Sequence, residues 1–136
     1  MILNKKYVLI GLSTILILFS CTKEDDEIIN VPTPGKGGHA AITGHVKHHD
    51  DAIPNAMVYI KYGTLDLPGT SPGDYDDSTK ASASDAHYSF DQLQKGNYYV
   101  FGIGYDSTCT CVVFGGVSVI ISSSTEQVET NVPVTE

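Results

Sequence analysis

From Ala40 onward the chain alternates apolar and polar positions with a period of two. Ile42, Gly44 and Val46 interleave with Thr43, His45 and Lys47, and Ala56, Val58 and Ile60 interleave with Met57, Tyr59 and Lys61. That period places successive side chains on opposite faces of a half-buried strand. His48 to Asn55, with Asp50, Asp51 and Pro54, reads as the connecting turn. Gly63 to Lys80 holds Pro68, Gly69, Pro72 and Gly73 with Asp66, Asp74, Asp76 and Asp77, and reads as a long acidic loop. A third strand is expected over residues 80–84, with Asp85 and Ala86 turning into a fourth around Tyr88 to Leu93. Lys95-Gly96-Asn97 turns the chain again, into the longest strand, Tyr98 to Tyr105, and two more follow over residues 117–122 and 126–132. No segment sustains helical periodicity, so the expected fold is all-β, a seven-stranded antiparallel β-sandwich.

The first 38 residues follow a different pattern. Lys5 and Lys6 precede a mostly apolar run from Tyr7 to Phe19, and Cys21 is followed by Thr22-Lys23-Glu24-Asp25-Asp26-Glu27. The run is shorter than the roughly 20 apolar residues of a membrane-spanning helix. Leu18-Phe19-Ser20-Cys21 resembles the lipobox of bacterial lipoproteins, and the acids after Cys21 resemble the export signal of Bacteroidetes lipoproteins. The resemblance implies a signal peptide over residues 1–20, acylation of Cys21, and a lipid-anchored protein of the outer membrane, exposed at the cell surface. Residues 21–38, acidic and then rich in glycine and proline, read as a tether. Residues 39–136 then form the single domain.

Within that domain four blocks carry a second resemblance. Ile42-Thr43-Gly44-His45-Val46, residues 53–60, residues 84–90 and residues 93–100 are similar, in order, to the blocks of carboxypeptidase regulatory-like domains. The likeness implies a prealbumin-like (transthyretin-like) sandwich that serves as a structural or binding appendage. The family usually has Gly where His87 stands.

Charge narrows the partners. Without residues 1–20 the chain keeps six lysines and no arginine against sixteen acids, a formal net charge of −10. Phosphate backbones need a basic footprint, so nucleic acid is excluded as a partner. The membrane is held through lipid rather than by charge.

Three sets of residues could carry function. The stripe Tyr99, Phe101, Ile103 and Tyr105 lies opposite the core-facing Tyr98 and Val100 of the same strand. With Tyr59 and Met57 it offers an outward surface, and Tyr59, Tyr99, Phe101 and Tyr105 are the candidate contacts for a glycan or protein ligand. His45, His48 and His49, with Cys109 and Cys111, are candidate metal ligands or a thiol-redox group. No cofactor is required by any spacing present, so a metal ion is an alternative rather than the expectation. In an oxidising compartment Cys109 and Cys111 could also bond to each other, although on one extended strand their Cα atoms would sit near the upper limit for a disulfide. The aspartates of the long loop could offer oxygens to calcium but lack the order of an EF-hand. No nucleophile motif stands out, and the expectation is a binding protein, not an enzyme.

Overall fold

The computed structural model describes residues 33–136. The leader, Cys21 and the tether as far as residue 32 lie outside the described residues. The chain forms β1 (Lys36–His48), β2 (Asp51–Ala52), β3 (Met57–Tyr62), a 3-10 turn (Pro72–Asp74), β4 (Asp77–Lys80), β5 (His87–Leu93), β6 (Gly96–Asp106), β7 (Cys111–Ile121), β8 (Gln127–Glu129) and β9 (Val132–Val134). The all-β expectation holds, with nine strands among the described residues where seven were expected. They form a five-stranded sheet, in which β1 pairs with β2, β5, β8 and β9, and a four-stranded sheet in the order β4-β3-β6-β7.

The pairing is mixed rather than purely antiparallel. β8 and β9 both run parallel to β1, with Ile42 opposite Val128 and Val46 opposite Val132. One strand was expected over residues 126–132, but the chain breaks between Glu129 and Val132 as it steps along β1. Thr130 N–H donates to the Thr43 carbonyl at 2.8 Å, and Asn131 Oδ1 accepts from the His45 N–H at 3.1 Å. The Thr130 carbonyl lies where a side chain of residue 44 would project: a Cβ on Gly44 would meet that oxygen at 1.6 Å. Tyr88, opposite Gly44 on β5, extends its hydroxyl past the bare backbone and donates to the same carbonyl at 2.8 Å. Glycine at position 44 therefore fixes where the C-terminal segment crosses.

Strand bounds shift at three further places. β1 begins at Lys36, taking in residues read as tether, because Gly35 and Gln94 pair backbone to backbone and Lys36 comes opposite Leu93. β4 is Asp77–Lys80 rather than residues 80–84, since Met57 to Ile60 of β3 pair with Lys80 to Asp77. Beyond Ala81 the chain reverses around Asp85, whose carboxylate accepts from Ser82 Oγ and from the His87 N–H. The left-handed residue of this turn is Ala86, with φ 59°, so no glycine is needed at position 87. β7 starts at Cys111, six residues before the expected Val117, because all of β6 from Asp106 back to Gly96 pairs with it.

The core lies between the sheets. Ile42, Val46, Tyr88, Phe90 and Leu93 on one side meet Val58, Ile60, Tyr98, Val100 and Val113 on the other. Burying each such aliphatic side chain contributes about 1.5–3 kcal/mol. Gly104 is bare where Ile53 and Ala56 press in, with a Cβ there only 3.0 Å from that of Ala56. Ala56 and Gly104 are cross-strand neighbours beside the Met57–Ile103 pair, so this close approach lies within one sheet rather than between the layers. On one flank a single short segment hydrogen-bonds to both layers: β9 pairs with β1, and the next residue, Thr135, exchanges two 2.9 Å hydrogen bonds with Phe114 of β7.

Candidate functional site

The outward face of the four-stranded sheet is ordered in rows by strand register. Lys61, Tyr99 and Ser118 form one row, Tyr59, Phe101 and Gly116 the next, Met57, Ile103 and Phe114 the third, and Tyr105 with Val112 the last. The aromatic stripe expected along β6 is therefore present, but only part of it faces solvent. Phe101 is 2% exposed. The long loop folds back over it: the Tyr75 ring stacks on Phe101 at 5.5 Å and lies 5.6 Å from Tyr59. Phe101 is thus removed from the expected contact surface, and Tyr59 is half-covered. Tyr99 leans across Gly116 and is also half-buried.

The loop is held by the residues that looked like calcium ligands. Tyr75 donates its hydroxyl to the Gly69 carbonyl at 2.7 Å, and burial pushes its pKa up to about 12, so it stays a donor across the physiological range. Asp76 accepts from the Tyr62 N–H at 2.8 Å and pairs with Lys61 at 3.0 Å. Asp74 accepts from the Ser71 N–H, and Asp77 pairs with Lys36. These carboxylates are engaged within the fold rather than turned together around one centre.

The far end of the same face is open, as is the isolated Ile120 at its other end. Tyr105 is 55% exposed, Val112 56% and Phe114 42%, side by side with the half-buried Ile103 and Met57. Tyr105 is where the sequence placed it. Val112 and Phe114 escape the sequence reading because it starts the strand later; the apolar run Cys111 to Phe114 was the available signal, since one face of a strand cannot absorb four consecutive apolar residues.

Around the corner from this patch, β1 and β6 end together. The buried His48 donates from Nδ1 to Asp106 Oδ2 at 2.7 Å, and its Nε2 lies 3.0 Å from Glu136 Oε2. Asp106 Oδ1 accepts from the Thr108 N–H at 2.7 Å. His49, in the left-handed region at φ 54°, places its ring 4.5 Å from that of His48. His48, His49, Asp51, Asp106, Thr108, Cys109 and Glu136 line one cleft of about 250 Å³. His45 is elsewhere, its ring 5.4 Å from His87 and its Nε2 3.8 Å from Asp85.

Contrary to the sequence expectation of one shared strand, the two cysteines sit on different elements. Cys109 sits in the β6–β7 turn and only Cys111 begins β7. Thr110 between them adopts φ 57°, bringing their Cα atoms to 5.2 Å, and the sulfurs are bonded. As a disulfide they offer no thiolate to a metal, so the combined histidine and cysteine ligand set does not assemble.

The hydrogen bond to Asp106, and then the charge of Glu136, hold the His48 pKa above its ordinary 6.5, against the opposing effect of burial. The same bond and the Thr108 N–H hold Asp106 below its ordinary 3.8. A raised histidine stabilises the fold fully below pH 6.5 and loses that contribution as pH climbs through the raised value. A lowered carboxylate contributes above pH 3.8 and loses it as pH falls through the depressed value. Thermal melts in chelator-treated buffer should therefore show a broad stability maximum over the acidic and neutral range. In His48→Gln the alkaline limb should flatten; an unchanged limb would assign it to another group.

No protein-family model matches the chain, and no curated protein matches it. Among solved structures, that of a candidate carbohydrate-binding protein from Pseudomonas aeruginosa is similar at 15% identity and a TM-score of 0.47, over 74% of this chain and 91% of that one. A likeness of that size carries no argument about ligand.

Proposed function

We propose that this protein is a non-enzymatic binding module, a prealbumin-like sandwich anchored by lipid at Cys21 on the surface of a bacterial outer membrane, that engages its ligand through the open end of the four-stranded sheet. The observation that carries the reading is the contiguous exposure of Tyr105, Val112 and Phe114 on one face. Such a patch gains by being covered, and its mixture of aliphatic and aromatic side chains suits a protein partner. The flat rings of Tyr105 and Phe114 support a second reading, in which a sugar ring stacks on them. The anchor rests on the lipobox-like Leu18 to Cys21, and the sandwich type on the four sequence blocks.

The test compares the wild-type protein with Tyr105→Ser combined with Phe114→Ser, displayed on cells and probed with glycan arrays and with crosslinking to envelope proteins. Tyr105 is the more open of the two, while Phe114 also lies 6.4 Å from the Phe101 ring, so stability should fall by about 0.5 kcal/mol for the first change and about 1 kcal/mol for the second. Binding to one ligand class should fall at least about tenfold, a loss of about 1.4 kcal/mol. Equal binding by the variant removes this face as the site. Separately, Cys21→Ser should release the protein from the membrane fraction, and retention would refute the anchor.

A further inference from the structure

We propose that the cleft at the ends of β1 and β6 is a site for a divalent transition ion of the zinc class, with His48 Nε2 and the Glu136 carboxylate as ligands, His49 and Asp51 completing the donor set, and Asp106 holding His48 in position. This goes beyond ligand binding on the outer sheet face and does not depend on it.

The argument starts from His48. Its side chain is only 7% exposed, yet its Nε2 is directed out of the core toward a carboxylate. Nδ1 is committed to Asp106 at 2.7 Å, and Asp106 is itself fixed by the Thr108 N–H. A carboxylate behind one ring nitrogen sets the orientation of the other and raises its basicity, the arrangement that accompanies histidine ligands of metals. Nε2 and Glu136 Oε2 stand 3.0 Å apart. Two ligand bonds of about 2.1 Å at a tetrahedral angle place nitrogen and oxygen about 3.4 Å apart, so a small swing of the Glu136 side chain admits the ion. Glu136 is 68% exposed and free to make that swing. His49 and Asp51 line the same cleft and are the nearest candidates for further ligands once the loop closes on the ion.

The chemistry of the donors selects the ion. Imidazole with carboxylate suits zinc, copper or nickel, whereas calcium and magnesium call for oxygens alone. Cys109 lies within reach, its Sγ within 4.8 Å of His48 and Asp106 donor atoms, but its sulfur is spent in the bond to Cys111. The other histidine pair is a weaker candidate. His45 and His87 lie nearer solvent, and Asp85 already accepts from Ser82 and from the His87 backbone.

The experiment is calorimetric titration of zinc into the 136-residue chain in detergent, with melting temperature measured alongside. One zinc per chain is expected, binding at about 10 μM or tighter, with a melting temperature that rises as zinc increases, as mass action requires. Calcium should give neither signal. Glu136→Gln, at an exposed position that leaves the fold intact, should weaken zinc binding at least about tenfold, as should His48→Ala. Asp106→Asn, which retains the ligands and loosens their support, should cost about 10- to 100-fold. His45→Ala with His87→Ala should leave the titration unchanged. Absence of heat with zinc overturns the proposal, and so does binding that survives Glu136→Gln or is abolished by the His45 and His87 pair of changes.

Discussion

Replacing Gly44 by alanine is expected to lower stability by about 3 kcal/mol, a large share of the roughly 5–15 kcal/mol that holds a domain of this kind together. The added methyl has nowhere to go. It would sit 1.6 Å from the Thr130 carbonyl oxygen, and the Tyr88 ring closes the same space at 3.2 Å. Relief requires the segment between β8 and β9 to lift off β1, which costs the Thr130 and Asn131 hydrogen bonds and the partner of the Tyr88 hydroxyl. Urea denaturation should show the midpoint falling with little change in slope. Tyr88→Phe removes only the hydroxyl and should cost about 1 kcal/mol. Combined with Gly44→Ala it should cost less than the sum, because in the single alanine variant that bond is already broken. Wild-type stability in Gly44→Ala would show that Thr130 does not cross there.

Tyr98→Ala should be at least as damaging, by about 4 kcal/mol. Its ring is fully buried at the end of β6 and meets Tyr62 edge to face at 5.8 Å. Its hydroxyl donates to the Gln94 carbonyl at 2.6 Å and accepts from the Gly35 N–H at 3.0 Å. One side chain therefore fills the core and fastens the chain just before β1 to the turn between β5 and β6. Tyr98→Phe separates the two roles. It should cost about 1–2 kcal/mol and raise amide exchange at Gly35, leaving the sheets intact. Should Tyr98→Phe match Tyr98→Ala in cost, the hydroxyl rather than the ring would carry the stability.

Alternation made the central strands legible. Ile42 to Val46, Met57 to Ile60, Tyr88 to Leu93 and Tyr98 to Tyr105 each bury one face, and each was located from residue type alone. β4 was not, since Asp77-Ser78-Thr79-Lys80 is polar throughout and becomes a strand only by pairing with β3 at the sheet edge. The start of β7 was hidden for the opposite reason: Val112 and Phe114 are apolar on the solvent side, and Gly115-Gly116 blurs the period. Parallel pairing of β8 and β9 joins residues 86 positions apart and leaves no local trace.

The same distinction separates the sites. Tyr105 could be placed on an outer face by counting along its strand. Whether Phe101 was open depended on where the long loop lands, and Tyr75 in that loop decides it. The histidine cluster showed the residue type but not the partner, for Asp106 is 58 positions from His48 and reads in sequence as an ordinary strand end. Cys109 and Cys111 were visible as a pair; the left-handed Thr110 that lets them bond was not.

A chain made from its N-terminus can pair β3 with β4 and β6 with β7 locally, but cannot complete the sheet built on β1 early. β1 finds two of its neighbours only in residues 127–134. High contact order of this kind slows folding, because long loops must close before the contacts that reward closure exist. The first described strand thus waits on almost the last, so its sheet closes only once residues 127–134 are available.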